Sequence, residues 1–200
     1  MLFACNLNTA NSKDTGREEY MGYNLSNLCR NLRLKLVNRT ALTLPLRTQL
    51  GKGTEIACEN GIVQIGNHIT VRDNVHLSAV SNGKIVIGSK TFINRNCIFV
   101  SRKEINIGNN VGFGPNVCIY DHDHCFDSNG KKEGYSLDSV VIEDNCWIGA
   151  GCIILKGTHI GKGCVVGAGC VVKGSVPSNS LVTMNRSLEI RRLEDRRYCL

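Results

Sequence analysis

The segment between residues 142 and 177 repeats every six positions. Its aliphatic residues are Ile142, Ile148, Ile154, Ile160, Val166 and Val172. The fourth residue after each of them is Cys146, Cys152, Thr158, Cys164, Cys170 and Val176. This period matches neither the 3.6 residues per turn of a helix nor the alternation of one long strand, but it suits short strands that turns bend into a parallel β-helix. The repeat therefore predicts an all-β fold.

The same register can be followed back to Ile65. Three hexads make one triangular coil, and stacked coils bury a continuous ladder of aliphatic side chains. Glycine, asparagine and aspartate fill the turn positions between the hexads, where a left-handed backbone is tolerated. The residues that begin successive coils are Ile65, Ile87, Ile107, Ile142 and Ile160. We therefore predict a β-helix of about five coils over residues 65–180.

The two flanks of the repeat are basic. Residues 1–64 are predicted to form an N-terminal extension and helical cap, and residues 181–200 a basic tail with a short helix. Leucines at helical spacing, with arginine and lysine among them, predict an amphipathic helix over residues 25–39. Two interpretations remain for this helix: it caps the open end of the β-helix, or it makes a weak contact with a membrane surface.

Composition and charge limit the kinds of binding partner and the cellular compartment that the sequence predicts. The 200-residue chain carries a formal net charge of +7 at pH 7, which suits an anionic small molecule. Its basic residues lack the patterns of nucleic-acid-binding modules, so no nucleic-acid partner is predicted. The first residues lack the basic start and apolar core of a secretory signal, which predicts a cytoplasmic location. Several of the eleven cysteines share one repeat position, and no CxxC pair occurs, so they are predicted to be small buried hydrophobes.

One long insertion breaks the repeat. After Ile119 the next hexad residue should stand at position 125, but the register resumes only at Ile142. The extruded segment, residues 121–141, begins with His122 and His124. Loops that leave a rigid scaffold often carry function, and histidine suits proton transfer near neutral pH. The insertion is therefore the candidate catalytic loop.

The hexads together with the sequence IYDHDHCFD resemble the hexapeptide-repeat acyltransferases, especially the galactoside and maltose O-acetyltransferase type. The likeness extends over residues 65–177. It implies a left-handed parallel β-helix, a homotrimer with active sites between subunits, acetyl-CoA as the acyl donor, and no metal. It also implies that His124, five residues after Ile119, is the catalytic base, with His122 as the weaker candidate for that role and a contact to the acceptor.

The same resemblance implies residues that bind the acceptor and the coenzyme. Asn94 in INRNC matches an acceptor-site asparagine, although asparagine is also an ordinary turn residue at such a position. Arg102 lies where galactoside-type enzymes have a carboxylate, which suits an acceptor that carries phosphate or carboxylate, such as a polysaccharide or nucleotide-linked intermediate. The residues implied for coenzyme A binding are Trp147, Gly149, Ala150, Gly167, Ala168, Lys173 and Arg191.

These observations predict an O-acetyltransferase that acts on a sugar or polysaccharide precursor. His124 would act as general base on the acceptor hydroxyl, and no acyl-enzyme is needed. One alternative is a zinc protein of the γ-class carbonic anhydrase type, in which His68, His76 or His159 would join His122 and His124; the HxxxxH spacing of that class is absent. A second alternative is a structural β-helix without catalysis.

Overall fold

The computed structural model describes residues 25–46, 48–128 and 130–184. Helix α1 (Leu25–Asn38) and a short 3₁₀ turn (Arg39–Ala41) precede a solenoid whose strands pair in parallel in three sheets. Sheet A contains β1 (Leu42–Thr43), β4 (Ile62–Ile65), β7 (Lys84–Ile87), β10 (Glu104–Ile107), β15 (Val140–Ile142), β18 (His159–Ile160) and β21 (Ser175–Val176). Sheet B contains β2 (Gln49–Leu50), β5 (Thr70–Val71), β8 (Phe92–Ile93), β11 (Gly112–Phe113), β16 (Trp147–Ile148), β19 (Val165–Val166) and β22 (Leu181–Val182). Sheet C contains β3 (Glu55–Glu59), β6 (His76–Val80), β9 (Ile98–Ser101), β12 (Cys118–Tyr120), β17 (Ile153–Ile154) and β20 (Val171–Val172).

One strand from each sheet makes one coil, so the predicted left-handed parallel β-helix is confirmed. The predicted register is also confirmed, since the residues expected to begin successive coils pair with one another along sheet A: Ile65, Ile87, Ile107, Ile142 and Ile160. Six coils are complete, and β21 and β22 continue the stack beyond them.

The solenoid begins at Leu42, one coil before the predicted start at Ile65. This first coil buries Leu44, Leu50 and Ile56, which are also six residues apart. The next aliphatic ladder residue comes nine positions later because β3 and β4 are longer than a hexad strand. A fixed period therefore loses the register at the corner between sheets C and A. At the other end, β22 shows that the stack extends past residue 180.

The core lies inside the triangular coils. In most strands the ladder residue is buried and its neighbour faces outward, as in β16, where Ile148 is buried and Trp147 is exposed. The corners use left-handed backbone, for example at Asn110 (φ 54°) and Gly163 (φ 71°).

The corner cysteines are buried, as predicted, and the nine cysteines in the described part of the chain are free thiols. Their Sγ atoms also donate hydrogen bonds to carbonyl oxygens of the next coil. These bonds run from Cys97 to Gly114 (3.3 Å), from Cys146 to Gly161 (3.2 Å), from Cys152 to Gly167 (3.1 Å) and from Cys164 to Pro177 (3.0 Å). The thiols thus satisfy turn carbonyls that would otherwise lie against an apolar core.

Helix α1 covers the open end of the first coil, which agrees with the capping interpretation. The Asn31 amide Nδ2 donates to the carbonyl oxygens of Leu46 and Thr48, both at 2.9 Å, and the Arg30 guanidinium donates to the carbonyl oxygen of Gly51. In the described residues, no helix is long and apolar enough to cross a membrane. The short helix predicted within residues 181–200, with Arg191, falls outside the described residues from 185 onward.

The insertion forms an antiparallel hairpin, β13 (His122–Asp127) and β14 (Gly130–Leu137), where the sequence predicted a loop. His124 pairs across the hairpin with Tyr135. Beneath the hairpin the stack continues without a gap, because β15 pairs with β10 and the Asp138 amide donates to the Asp121 carbonyl oxygen at 2.9 Å.

Candidate active site

The candidate residues lie at two different corners of the solenoid. His122, His124 and Arg102 lie at the corner between sheets C and A, and Lys173 follows β20 at the same corner two coils later. The residues at the corner between sheets B and C are Asn94, Gly149, Ala150, Gly167 and Ala168. Trp147 lies on the outer face of sheet B. One chain therefore holds the histidines and Lys173 at one corner but keeps them apart from Trp147 and from the small residues implied for the coenzyme.

A fully buried carboxylate lies at the root of the hairpin. Asp121 Oδ2 accepts a hydrogen bond from Ser101 Oγ at 2.6 Å and from the Lys103 backbone N–H at 2.8 Å, and Oδ1 accepts from the Arg102 backbone N–H at 2.8 Å. These donors belong to the turn of the preceding coil. A buried carboxylate needs such partners because desolvation penalises its charge. Asp121 thereby fixes the hairpin root to the coil beside it.

His122 is oriented by the same carboxylate. Its Nδ1 lies 3.1 Å from Asp121 Oδ1, and its side chain is only 13% exposed. Since a carboxylate accepts hydrogen bonds, this contact assigns the ring proton to Nδ1 and leaves Nε2 with its lone pair. The rings of Tyr120 and Tyr135 contact the imidazole edge to face, with centroids 6.2 and 5.5 Å away. His122 is therefore a rigid hydrogen-bond acceptor.

His124 is exposed and lies further out on the hairpin. Its ring centroid is 4.7 Å from that of its cross-strand partner Tyr135, at an interplanar angle of 42°. Together with Lys132, Glu133 and Gly134, these two residues line a shallow open depression. A proton-accepting group in this position is accessible to a bound hydroxyl.

Arg102 holds Tyr135 in place. Its guanidinium carbon lies 3.8 Å from the centroid of the Tyr135 ring, and its Nη1 donates to Ser81 Oγ at 3.2 Å. Nearby, Lys103 Nζ contacts Asp138 Oδ1 at 3.1 Å, and this hydrogen bond lowers the pKa of the Asp138 carboxyl. The predicted acceptor contact of Arg102 stays a prediction, because its guanidinium supports the hairpin here.

Sequence reasoning did not identify Asp121 or Tyr135. Asp121 directly precedes His122, and an aspartate at that hexad place is an ordinary turn residue. Its burial depends on the turn of the preceding coil. Tyr135 meets His124 only through the pairing of the hairpin strands, for which the sequence offered no signal.

The residues implied for the coenzyme have clear structural roles. Trp147 is 46% exposed and lies over Gly112, where a Cβ atom would come within 2.6 Å of the indole. A Cβ on Gly149 would lie 2.6 Å from the Ala168 backbone nitrogen, so coil stacking requires glycine there. Asn94 Oδ1 accepts from the Arg95 backbone N–H at 2.8 Å, a turn contact. Binding of coenzyme A by these residues stays a prediction.

Residues 25–46, 48–128 and 130–184 contain no group of three or more His, Cys, Asp or Glu side chains placed to hold a metal ion. His76 Nδ1 lies 3.1 Å from a carboxylate oxygen of Glu55, and His159 Nε2 lies 2.8 Å from one of Glu143. His76 and His159 therefore lie on different coils, each in an exposed pair with a carboxylate.

Comparison with known proteins agrees with this fold. The sequence profile of the bacterial transferase hexapeptide family (six repeats) matches residues 139–174. A Schizosaccharomyces pombe protein named as an acetyltransferase is 41% identical over 109 residues, which cover 54% of this chain and 53% of the relative. The chain spans about half the length of the curated relatives it matches.

Two solved structures extend the likeness. The hexapeptide-repeat-containing acetyltransferase of Vibrio cholerae, in complex with acetyl coenzyme A, is 28% identical, with a TM-score of 0.54 over 78% of this chain and 81% of that chain. The maltose O-acetyltransferase of Clostridium difficile 630 is 27% identical, with a TM-score of 0.52 over 84% of this chain and 73% of that chain. Together with the solenoid, these likenesses confirm the predicted resemblance of the chain to the hexapeptide-repeat acetyltransferases.

Proposed function

We propose that the protein is an O-acetyltransferase that moves an acetyl group from acetyl-CoA to a hydroxyl of a sugar or polysaccharide precursor in the cytoplasm. The hairpin carries this proposal, because it presents His124 to solvent above His122 and a buried carboxylate where the sequence repeat is interrupted. The acetyl-CoA complex of the Vibrio cholerae relative supports the donor, and the maltose O-acetyltransferase supports a sugar acceptor.

In the proposed reaction, a ring nitrogen of His124 accepts the proton of the acceptor hydroxyl as its oxygen attacks the thioester carbonyl carbon. The resulting tetrahedral oxyanion is stabilised by a backbone N–H. When this intermediate collapses, the C–S bond breaks and the protonated imidazole returns its proton to the departing thiolate. His122, with its proton held on Nδ1 by Asp121, offers Nε2 to a second hydroxyl of the acceptor.

The separation of the two corners supports a homotrimer with active sites between subunits. Outward apolar residues form a ladder on sheet C through Ile98, Cys118, Ile153 and Val171. A second ladder on sheet B joins Trp147, Val165 and Leu181. Contiguous apolar surfaces of this kind mark interfaces. A neighbouring subunit would bring its Asn94 and Trp147 to the histidines of the first.

Replacement of each histidine tests the base. General-base catalysis contributes on the order of 10²- to 10⁴-fold in rate, so His124→Ala should lose about that factor in kcat with the fold retained. His122→Ala should raise KM for the acceptor more than it lowers kcat. Equal kcat for His124→Ala and the wild type would refute the assignment. No heat of acetyl-CoA binding in calorimetry would instead favour the structural β-helix.

Mixing two inactive variants tests the shared site. In a trimer assembled from equal amounts of His124→Ala and Asn94→Ala chains, about one intersubunit site in four combines an intact histidine with an intact asparagine. Refolding the mixture should therefore recover about a quarter of the wild-type activity. No recovery, or a monomer in sedimentation velocity, would place the site within one chain.

The acceptor class is tested with matched substrates. An anionic acceptor should turn over faster than its neutral analogue if Arg102 contributes positive charge to the site. Arg102→Lys keeps the charge but loses the planar stacking on Tyr135. Comparable turnover of neutral and anionic acceptors would contradict this part of the proposal.

A further inference from the structure

Helix α1 is attached to the solenoid by its polar face. Asn31 is fully buried and Asn27 nearly so. The Asn31 amide donates to two carbonyl oxygens of the first coil, and the Asn38 amide donates to the Ile56 carbonyl oxygen at 3.4 Å. An amphipathic helix on a protein normally buries its leucines. Here the asparagines take most of that place beside Leu34, which packs against the core, because the open end of a β-helix presents carbonyl groups that need donors.

The apolar face of α1 therefore points away from the solenoid. Leu28, Leu32 and Leu36 are spaced four residues apart and are all exposed, Leu36 to 77%, and Val37 is 71% exposed beside them. Leu46, whose carbonyl oxygen accepts a hydrogen bond from Asn31, adds an exposed side chain at the adjacent turn. Leu28, Leu32 and Leu36 form an apolar strip along one side of the helix, which we call the leucine face.

The charged residues within α1 and the 3₁₀ turn are all of one sign. Arg33 and Arg39 are exposed, Lys35 is half-buried, and the segment 25–41 contains no aspartate or glutamate. An apolar strip flanked only by cations is the pattern of helices that lie in the interface of an anionic membrane.

We propose that α1 rests on an anionic lipid surface, with the leucine face in the boundary between headgroups and acyl chains and with Arg33, Lys35 and Arg39 against the headgroups. A second copy of this chain is a poorer occupant, since it would bring the same positive charges to the contact. Nucleic acid would use the cations but not the leucines. Because the asparagines attach the helix to the solenoid, the leucine face is already formed and oriented in the absence of lipid.

Vesicle sedimentation of the whole chain tests this inference independently of catalysis. We expect binding to phosphatidylcholine vesicles that contain about 30% phosphatidylserine, weaker binding to phosphatidylcholine alone, and loss of binding as salt rises. Arg33→Glu should weaken binding at least fivefold, since one basic residue near the anionic surface strengthens it by about that factor. The double variant Leu32→Ser with Leu36→Ser should weaken binding about tenfold or more.

Two exposed residues far from α1 serve as matched controls. Lys162→Glu makes the same charge change at a corner of a later coil, and Phe126→Ser removes an apolar side chain that is 82% exposed in β13. Both should bind vesicles as the wild type does. Equal binding by all variants would overturn the inference, as would no binding at all. If Arg33→Glu weakened vesicle binding and the double leucine variant did not, α1 would be a general polyanion site. If no protein bound vesicles and the double leucine variant lost self-association, the leucine face would be a dimer contact.

Discussion

Removal of the buried Asp121 carboxylate should destabilise the protein by an amount that depends on the replacement. Asp121→Ala leaves the backbone N–H groups of Arg102 and Lys103 without their acceptor, whereas the Ser101 hydroxyl can turn its single proton to the Lys84 carbonyl oxygen, 3.0 Å away. A buried donor without a partner costs about 1–3 kcal/mol. Two such donors lower the free energy of unfolding by about 2–6 kcal/mol.

Asp121→Asn should cost less. Its amide oxygen can face the two backbone donors, and its NH₂ group then faces His122 Nδ1. This substitution removes only the negative charge of the acceptor, which should lower the free energy of unfolding by about 1–3 kcal/mol. The substitution also reverses the tautomer of His122, because Nδ1 must now accept a hydrogen bond and the ring proton moves to Nε2. Nitrogen-15 NMR of the imidazole should report this change, and acceptor KM should rise with it.

Urea unfolding at one fixed protein concentration measures the two free-energy changes, since linkage to oligomerisation makes them concentration-dependent. Asp123→Ala is the matched control: its carboxylate is 46% exposed and lies 3.6 Å from Lys156 Nζ, so it should change stability by at most about 1 kcal/mol. If Asp121→Ala were no more destabilising than Asp121→Asn, the carboxylate would not be satisfying the two N–H groups, and the reasoning would fail.

Three further substitutions test other parts of the structure. Burial raises the pKa of the Cys97 thiol from 9.0 to about 11, so between these pH values the folded state keeps a proton that the unfolded state loses. The free energy of unfolding should therefore fall as pH rises from 9 to 11. Urea midpoints measured across that range should fall less in Cys97→Ala than in the wild type. Gly112→Ala places a Cβ 2.6 Å from the indole of Trp147, which should move the ring outward and shift the emission of this single tryptophan to longer wavelength; an unchanged spectrum would contradict the close contact. The hydrogen bond from Lys103 lowers the pKa of the Asp138 carboxyl below its ordinary value of 3.8. The contact therefore stabilises the folded state above pH 3.8, and this stabilisation is lost as pH falls through the lowered pKa. Carbon-13 NMR of Lys103→Ala should show Asp138 titrating closer to 3.8.

The sequence predicted most of the fold because the solenoid is a linear repeat. Each ladder residue from Ile65 onward has one place in the stack, so counting by six recovers the sheets without long-range information. The first coil escaped this count although Leu44, Leu50 and Ile56 follow the same period. The corner between sheets C and A places Ile65 nine positions after Ile56, so the first coil joins the later hexads only when an irregular corner is allowed, as it is between Leu77 and Ile87.

Less of the site could be predicted, because its contacts join residues that no period relates. The break in register located His122 and His124, and their placement on one hairpin agrees with it. The pairing of His124 with Tyr135 depends on where the hairpin turns, and the burial of Asp121 depends on the turn of another coil. Arg102 is an example. Its charge in the sequence suggested contact with a ligand, but its guanidinium lies against the ring of Tyr135, and the sequence alone could not predict that the two side chains are neighbours.

The backbone hydrogen bond that closes the stack beneath the hairpin has an evolutionary consequence. The chain leaves the stack at Asp121 and rejoins it at Asp138, and the backbone hydrogen bond between these two residues lets β15 pair with β10 as though nothing intervened. Any segment whose ends meet at that spacing could replace the hairpin without disturbing a ladder contact. If the hairpin contacts the acceptor as proposed, exchange of this one short segment would change the acceptor preference without altering the solenoid.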